Sequence, residues 1–268
     1  MVRALAAVVL VVASPPRPAQ PIPPDPARLA RVLTTTTIAL RHDVDRWRAG
    51  GSATRAPADV ELWALYQQRI YGLLARDERL GNTVVSRLPR GLRAEARDAI
   101  VAGHDLVRLA PPPTRRRYRV GPPLPASTLR GYYRAAQRRF GVRWEVLAAI
   151  NFVESRFGRV RSSSVAGAQG PMQFLPARWR RYGLGGDVHD AHDAILGAAN
   201  YLHANGAPRD YRRALFAYNR SSLYVDAVLR YSTRIRRDPR AFFEYYAWQV
   251  FVRTPNGLQR LTGPGLSK

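Results

Sequence analysis

The 268-residue chain has no cysteine, a single lysine at Lys268, two methionines and no apolar run long enough to cross a bilayer. Each absence removes a class of protein. Without cysteine there is no disulfide framework, no thiolate zinc site and no cysteine nucleophile. The longest apolar run, residues 4–13, falls well short of the roughly 20 residues that a spanning helix needs, so no stable transmembrane anchor is expected. Acidic residues are also scarce: 19 stand against 43 basic ones, for a net charge of +24. That excess attracts polyanions, among them nucleic acid, membrane surfaces and anionic wall polymers. An arginine bias in the coding sequence would produce the same composition, so charge alone does not choose the partner. A hydrophobic fraction of 46% and a charged fraction of 23% fit a globular chain with a large core.

The start is organised like an export signal. Met1-Val2-Arg3 precedes the short apolar run and the break at Ser14-Pro15-Pro16, which matches a secretory signal peptide. Cleavage after Ala13 or Ala19 is expected, giving a signal over residues 1–19 and a secreted or cell-wall location. No cysteine follows to carry a lipid.

Residues 20–110 read as a helical accessory region. Leu62, Leu65, Tyr66, Ile70, Leu73 and Leu74 repeat at helical spacing, residues 94–109 make a further helix, and Asn82 and Gly91 mark breaks. Residues 111–124, with three prolines and three arginines in succession, read as a linker. The next segment, 125–238, alternates helices with short polar loops. The tail, 239–268, holds a β-prone run at 246–253, the turn signal Pro255-Asn256-Gly257 and a returning strand, which together predict a hairpin. The fold class expected is mainly α, with a small C-terminal hairpin.

Three clusters in the 125–238 segment carry chemistry. In the first, Trp144, Leu147, Ile150, Glu154 and Phe157 fall on one helical face. A carboxyl set among apolar neighbours is desolvated, and its pKa rises toward the range a general acid needs. A glutamate at the edge of such a stripe, reaching to water, is the structural alternative. The second is Gly167-Ala168-Gln169-Gly170-Pro171-Met172-Gln173, where glycines permit tight turns and two amides offer paired donors and acceptors to a ligand. Met172 supplies an adaptable apolar wall. The third, Ala217-Tyr218-Asn219, places a phenol and an amide at the end of a helix.

Together these clusters resemble the catalytic domain of the soluble lytic transglycosylases, relatives of goose-type lysozyme, over residues 125–238. The resemblance implies a lysozyme-like helical domain that cleaves the β-1,4 bond between N-acetylmuramic acid and N-acetylglucosamine in peptidoglycan glycan strands. It casts Glu154 as sole acid and base, giving 1,6-anhydromuramyl products, with Ser164, Gln169, Met172, Gln173, Tyr218 and Asn219 lining the saccharide groove. Pro171 stands where the family usually has leucine, and Arg178 replaces a small hydroxyl residue.

His189-Asp190-Ala191-His192-Asp193 has metal-ligand spacing, but capping of a helix over 194–204 explains its aspartates better, and neither metal nor cofactor is expected. Asp187, Asp190 or Asp193 could instead serve a hydrolytic muramidase as its second carboxylate. A catalytically silent wall-binding module is the third possibility. Arginines and tyrosines over 130–139 superficially suit nucleic acid, yet no nucleic-acid motif accompanies them. Trp248 is expected to fill core sooner than face a sugar.

Overall fold

The computed structural model describes residues 14–51, 55–113 and 115–266; the apolar run assigned to the export signal, residues 4–13, lies outside them. Four helices come first: α1 (Pro26–Ala49), α2 (Ala58–Leu74), α3 (Glu78–Arg87) and α4 (Arg90–Leu109). The segment beyond carries α5 (Ala126–Phe140), α6 (Trp144–Ser155), α7 (Pro176–Tyr182), α8 (Ala191–Ala204), α9 (Tyr211–Tyr218) and α10 (Ser222–Arg237). The tail adds α11 (Arg240–Tyr246) and an antiparallel pair, β1 (Phe251–Thr254) with β2 (Gly257–Arg260), in which Thr254 pairs with Gly257 across the turn. The mainly helical class and the small hairpin expected from sequence are both present.

Helix starts follow their cap chemistry. Asp25, Asp77, Asp190 and Asp210 each accept a backbone N–H from the first turn of α1, α3, α8 and α9, satisfying donors that would otherwise be orphaned. Some expected boundaries moved. Asn82 lies inside α3 instead of breaking it, and Gly91 falls in the first turn of α4. Residues 246–250 do not form strand; Tyr246 closes α11 and β1 begins at Phe251. The residues before α1 are anchored as well: Tyr66 donates to the Pro21 carbonyl at 2.8 Å, and Arg69 donates to the carbonyls of Pro18 and Gln20. Further on, Arg119 and Gly121 pair with Arg161 and Arg159 through backbone bonds of 2.9 Å, so the end of the 111–124 stretch is laid against the loop that follows α6.

One contiguous apolar core runs through both helical groups. Its centre is aromatic. Phe152 on α6 stacks on Tyr245 at 5.0 Å and meets Tyr231 and Trp248 edge-on. Trp248 is buried, as expected of a core residue. Helix α10 packs on α4 as well as on α6, so the first four helices brace the helix that carries Glu154. A buried ion network reinforces that brace. Arg41 of α1 and Arg234 of α10 both contact Glu95 of α4 at 2.5 Å, and both reach Glu244 of α11, at 3.3 and 3.5 Å.

Candidate active site

Helix α6 ends one residue after Glu154, and the way it ends defines the site. Arg156 and Phe157 adopt left-handed backbone at φ 52° and 60°, followed by Gly158 at 82°. The turn takes Phe157 off the helical face on which the sequence placed it, although its ring remains buried. Non-glycine residues hold such geometry only where their surroundings over-determine it. Here those surroundings are a polar knot. Asn151 accepts from Tyr133 at 2.6 Å and donates to the Pro171 carbonyl at 2.8 Å; Ser155 donates to the same carbonyl and accepts from Gly158 N–H.

The 167–173 segment thereby closes on the end of α6. Gly167 and Gly170 take positive φ, and Gln169 and Phe174 exchange both backbone hydrogen bonds at 2.8 Å. Gly170 is required twice over. Its φ is 72°, and a Cβ there would fall 1.8 Å from the Val188 carbonyl oxygen. Ser164 accepts from Ala168 N–H at 3.0 Å and Gln173 donates its side-chain amide to Gly170 O at 2.9 Å, so both brace the loop.

The Glu154 carboxyl is partly exposed and has one side-chain hydrogen-bonding partner among the described residues, the Tyr224 hydroxyl, which donates to Oε1 at 2.7 Å. Burial pushes the Glu154 pKa up to about 7 against the opposing pull of the Tyr224 bond. Among the described residues, no neighbouring carboxylate or guanidinium contributes to that shift. Desolvation thus wins over a favourable hydrogen bond, leaving a group that can both give and take a proton near neutrality.

Tyr218 stands beside this pair with its ring plane 3° from that of Tyr224, but its hydroxyl donates to the Met172 carbonyl at 2.6 Å. Asn219 caps α9 immediately after it. Arg178 donates to the Tyr218 carbonyl at 2.7 Å, which ties α7 to the end of α9. Met172 is fully buried in the core, where its backbone carbonyl meets Tyr218 and its side chain offers no surface to solvent. Sequence reasoning missed Tyr224. Its signal was weak: an aromatic six residues past Tyr218, on the first turns of α10.

The remaining aspartates are occupied. Asp190 caps α8, which starts at Ala191, three residues earlier than expected. Asp193 accepts from Asp187 N–H and from His192, and that backbone bond is the main cause of its lowered pKa. Asp187 accepts from His189 N–H at 2.9 Å. Asp190, His192 and Asp193 could each turn a ligand atom toward one point, but capping and loop bonds account for the aspartates.

All the clustered residues lie within 131–237, which match the transglycosylase SLT domain. That match takes in about two fifths of the chain. The membrane-bound lytic murein transglycosylase F of Thiobacillus denitrificans (strain ATCC 25259 / T1) is 31% identical over 122 residues, which is 42% of this chain and 26% of that protein. The chain therefore spans about a quarter of the relative's length. No solved structure matches significantly. The matched segment includes α6, the Gly/Gln loop, Tyr218 and Tyr224, whereas α1 to α4, α11 and the hairpin lie outside it. No helix among the described residues is long and apolar enough to cross a membrane.

Proposed function

We propose that this protein cleaves the β-1,4 bond between N-acetylmuramic acid and N-acetylglucosamine in peptidoglycan, without adding water. The observation that carries the reading is Glu154: a carboxyl with pKa raised to about 7, bonded to Tyr224 and untouched by other carboxylates. As the neutral acid it protonates the bridging glycosidic oxygen. The N-acetyl group of the sugar stabilises the resulting cation, as in substrate-assisted glycosidases. The carboxylate then removes the proton of the muramyl 6-hydroxyl, which closes the 1,6-anhydro ring. Gln169, Gln173, Ser164 and Asn219 shape the groove, while Met172 contributes through its backbone. Tyr218 walls the acid.

A hydrolytic muramidase needs a second carboxylate to activate water, and capping by Asp190 with the Asp187 and Asp193 loop bonds weighs against it. Mass analysis of wall digests decides between them. Products lighter by one water than muramidase products are expected, and water-bearing muramyl ends would refute the reading. A binding module without activity would leave walls intact and be indifferent to Glu154→Gln.

The net charge of +24 supports retention on anionic wall polymers. That attachment should weaken between about 50 and 500 mM salt, because exposed charges are strongly screened there. The N-terminal pattern supports export, which amino-terminal sequencing of the protein recovered outside the cytoplasm would test. Residues 20–110 act on this reading as a brace for the catalytic helices.

A further inference from the structure

The loop that closes on the acid has a second neighbour. A cleft of about 570 Å³ is bordered by Gly170 and Pro171, yet neither Glu154, Tyr218, Tyr224 nor Gln173 lines it. Leu124, Phe157, Val160 and Pro171 give it apolar walls, and Arg119, Arg161 and Asp190 give it charge.

The two arginines are set for a ligand. They are neighbours across the backbone pairing of Arg119 with Arg161, and Arg119 Nη2 also reaches the Arg161 carbonyl at 3.5 Å. Both are exposed, and neither has a carboxylate partner among the described residues. Arg161 is also positioned. Its guanidinium lies over Gly121, where a Cβ would fall 2.4 to 2.6 Å from it, and Nη2 donates to the Pro122 carbonyl at 3.3 Å. Any side chain at residue 121 would push it away. Helix α5 begins between the lining residues Leu124 and Leu129, and its first turn receives no side-chain cap. The positive end of that helix adds to the field.

We propose that this cleft binds the carboxylate of a short peptide borne on the glycan. The source of the peptide rests on the proposed peptidoglycan activity; the anion site does not. Two planar guanidiniums match a carboxylate through parallel hydrogen bonds. Asp190 disfavours a dianionic phosphate in the same space and can accept an amide N–H or ammonium. The apolar walls suit small side chains of the alanine kind.

The test titrates the full-length protein with N-acetyl-Ala-Glu-Lys-Ala bearing a free C-terminal carboxylate, with its C-terminal amide, and with inorganic phosphate. The free acid should bind best. Arg119→Gln and Arg161→Gln should each weaken it about tenfold or more, the expected loss of a charge-assisted bond. Gly121→Val, which evicts Arg161 without removing a charge, should do the same. In wall digestion these variants should raise KM for peptide-bearing strands and leave strands stripped of peptide unaffected. Equal binding of acid and amide, wild-type affinity in the arginine variants, or tighter binding of phosphate would each overturn the inference. Peptide binding by a protein that cleaves no glycan would sink the proposed activity and leave the cleft assignment standing; cleavage without peptide binding would do the reverse.

Discussion

Tyr218 and Tyr224 lie with ring planes 3° apart and centroids 6.5 Å apart, and only Tyr224 bonds the acid. Tyr218 gives its hydroxyl to the Met172 carbonyl instead. The two phenols thus divide the labour: one holds the carboxyl, the other pins the loop beside it. Burial raises the pKa of both phenols well above the ordinary value, so both remain donors.

Replacing Tyr224 by Phe should therefore change chemistry and replacing Tyr218 by Phe should change the loop. The bond from Tyr224 favours the ionised form of Glu154. Its loss should shift the alkaline limb of the pH–rate profile upward and lower kcat about tenfold, as for a hydrogen bond to a charged group. Tyr218→Phe should leave that limb in place and act mainly on KM. Steady-state rates on purified walls across the pH range check both. Identical profiles for the two variants would contradict the division.

Glu154→Gln should abolish turnover, by about a hundredfold to ten-thousandfold for a general acid, yet stabilise the fold at high pH. Folding raises this carboxyl from 4.5 to about 7, so the native state binds its proton more tightly than the unfolded chain. Below 4.5 both states are protonated and the burial carries no ionic cost. Between 4.5 and about 7 that cost grows, reaching an upper bound of about 3 kcal/mol at 1.36 kcal/mol per unit. The glutamine variant, which cannot ionise, escapes it. Thermal unfolding of the two proteins should coincide below pH 4.5, diverge progressively up to about pH 7 and stay apart above it, with the variant melting higher.

The raised pKa of Glu154 was legible in the sequence because its apolar setting is written locally. Glu154 follows an apolar helical stripe, and the Gly/Gln loop comes soon after. The hairpin was legible for the same reason, since Pro255-Asn256-Gly257 is a turn by composition. Tyr224 was not, because its contact with Glu154 spans 70 residues and leaves no periodic trace. The end of α6 at Ser155 was equally hidden. Nothing local forces Arg156 and Phe157 to positive φ; the Asn151, Ser155 and Pro171 bonds hold the turn that follows. Met172 looked like a groove wall by type, and the core took its side chain.

Gly170→Ala should be among the most damaging small substitutions in the 131–237 segment. The added methyl would meet the Val188 carbonyl at 1.8 Å, in a backbone conformation that alanine resists. Strain and overpacking together should cost on the order of 3 kcal/mol. Gly167→Ala, at similar φ with open space around its Cβ, should lose only the strain. Urea denaturation of the pair separates the two effects, and equal losses would refute the packing argument.

The accessory helices reach the site through a network of charged side chains. Glu244 is almost fully buried and lies between Arg41 of α1 and Arg234 of α10. Glu244→Gln keeps the shape and removes the charge, leaving two largely buried guanidiniums to share Glu95, with Asp238 3.8 Å from Arg41 as the remaining acid. Breaking a buried network in this way costs about 3–5 kcal/mol. Because α10 also carries Tyr224, the damage should extend to the acid: the variant should unfold at lower urea and, while still folded, show weaker retention of the Glu154 pKa near 7. Glu244→Met combined with Arg234→Met removes charge of both signs and should recover much of the stability. A double variant no more stable than Glu244→Gln would show that packing, not charge balance, joins α1 and α4 to α6 and α10.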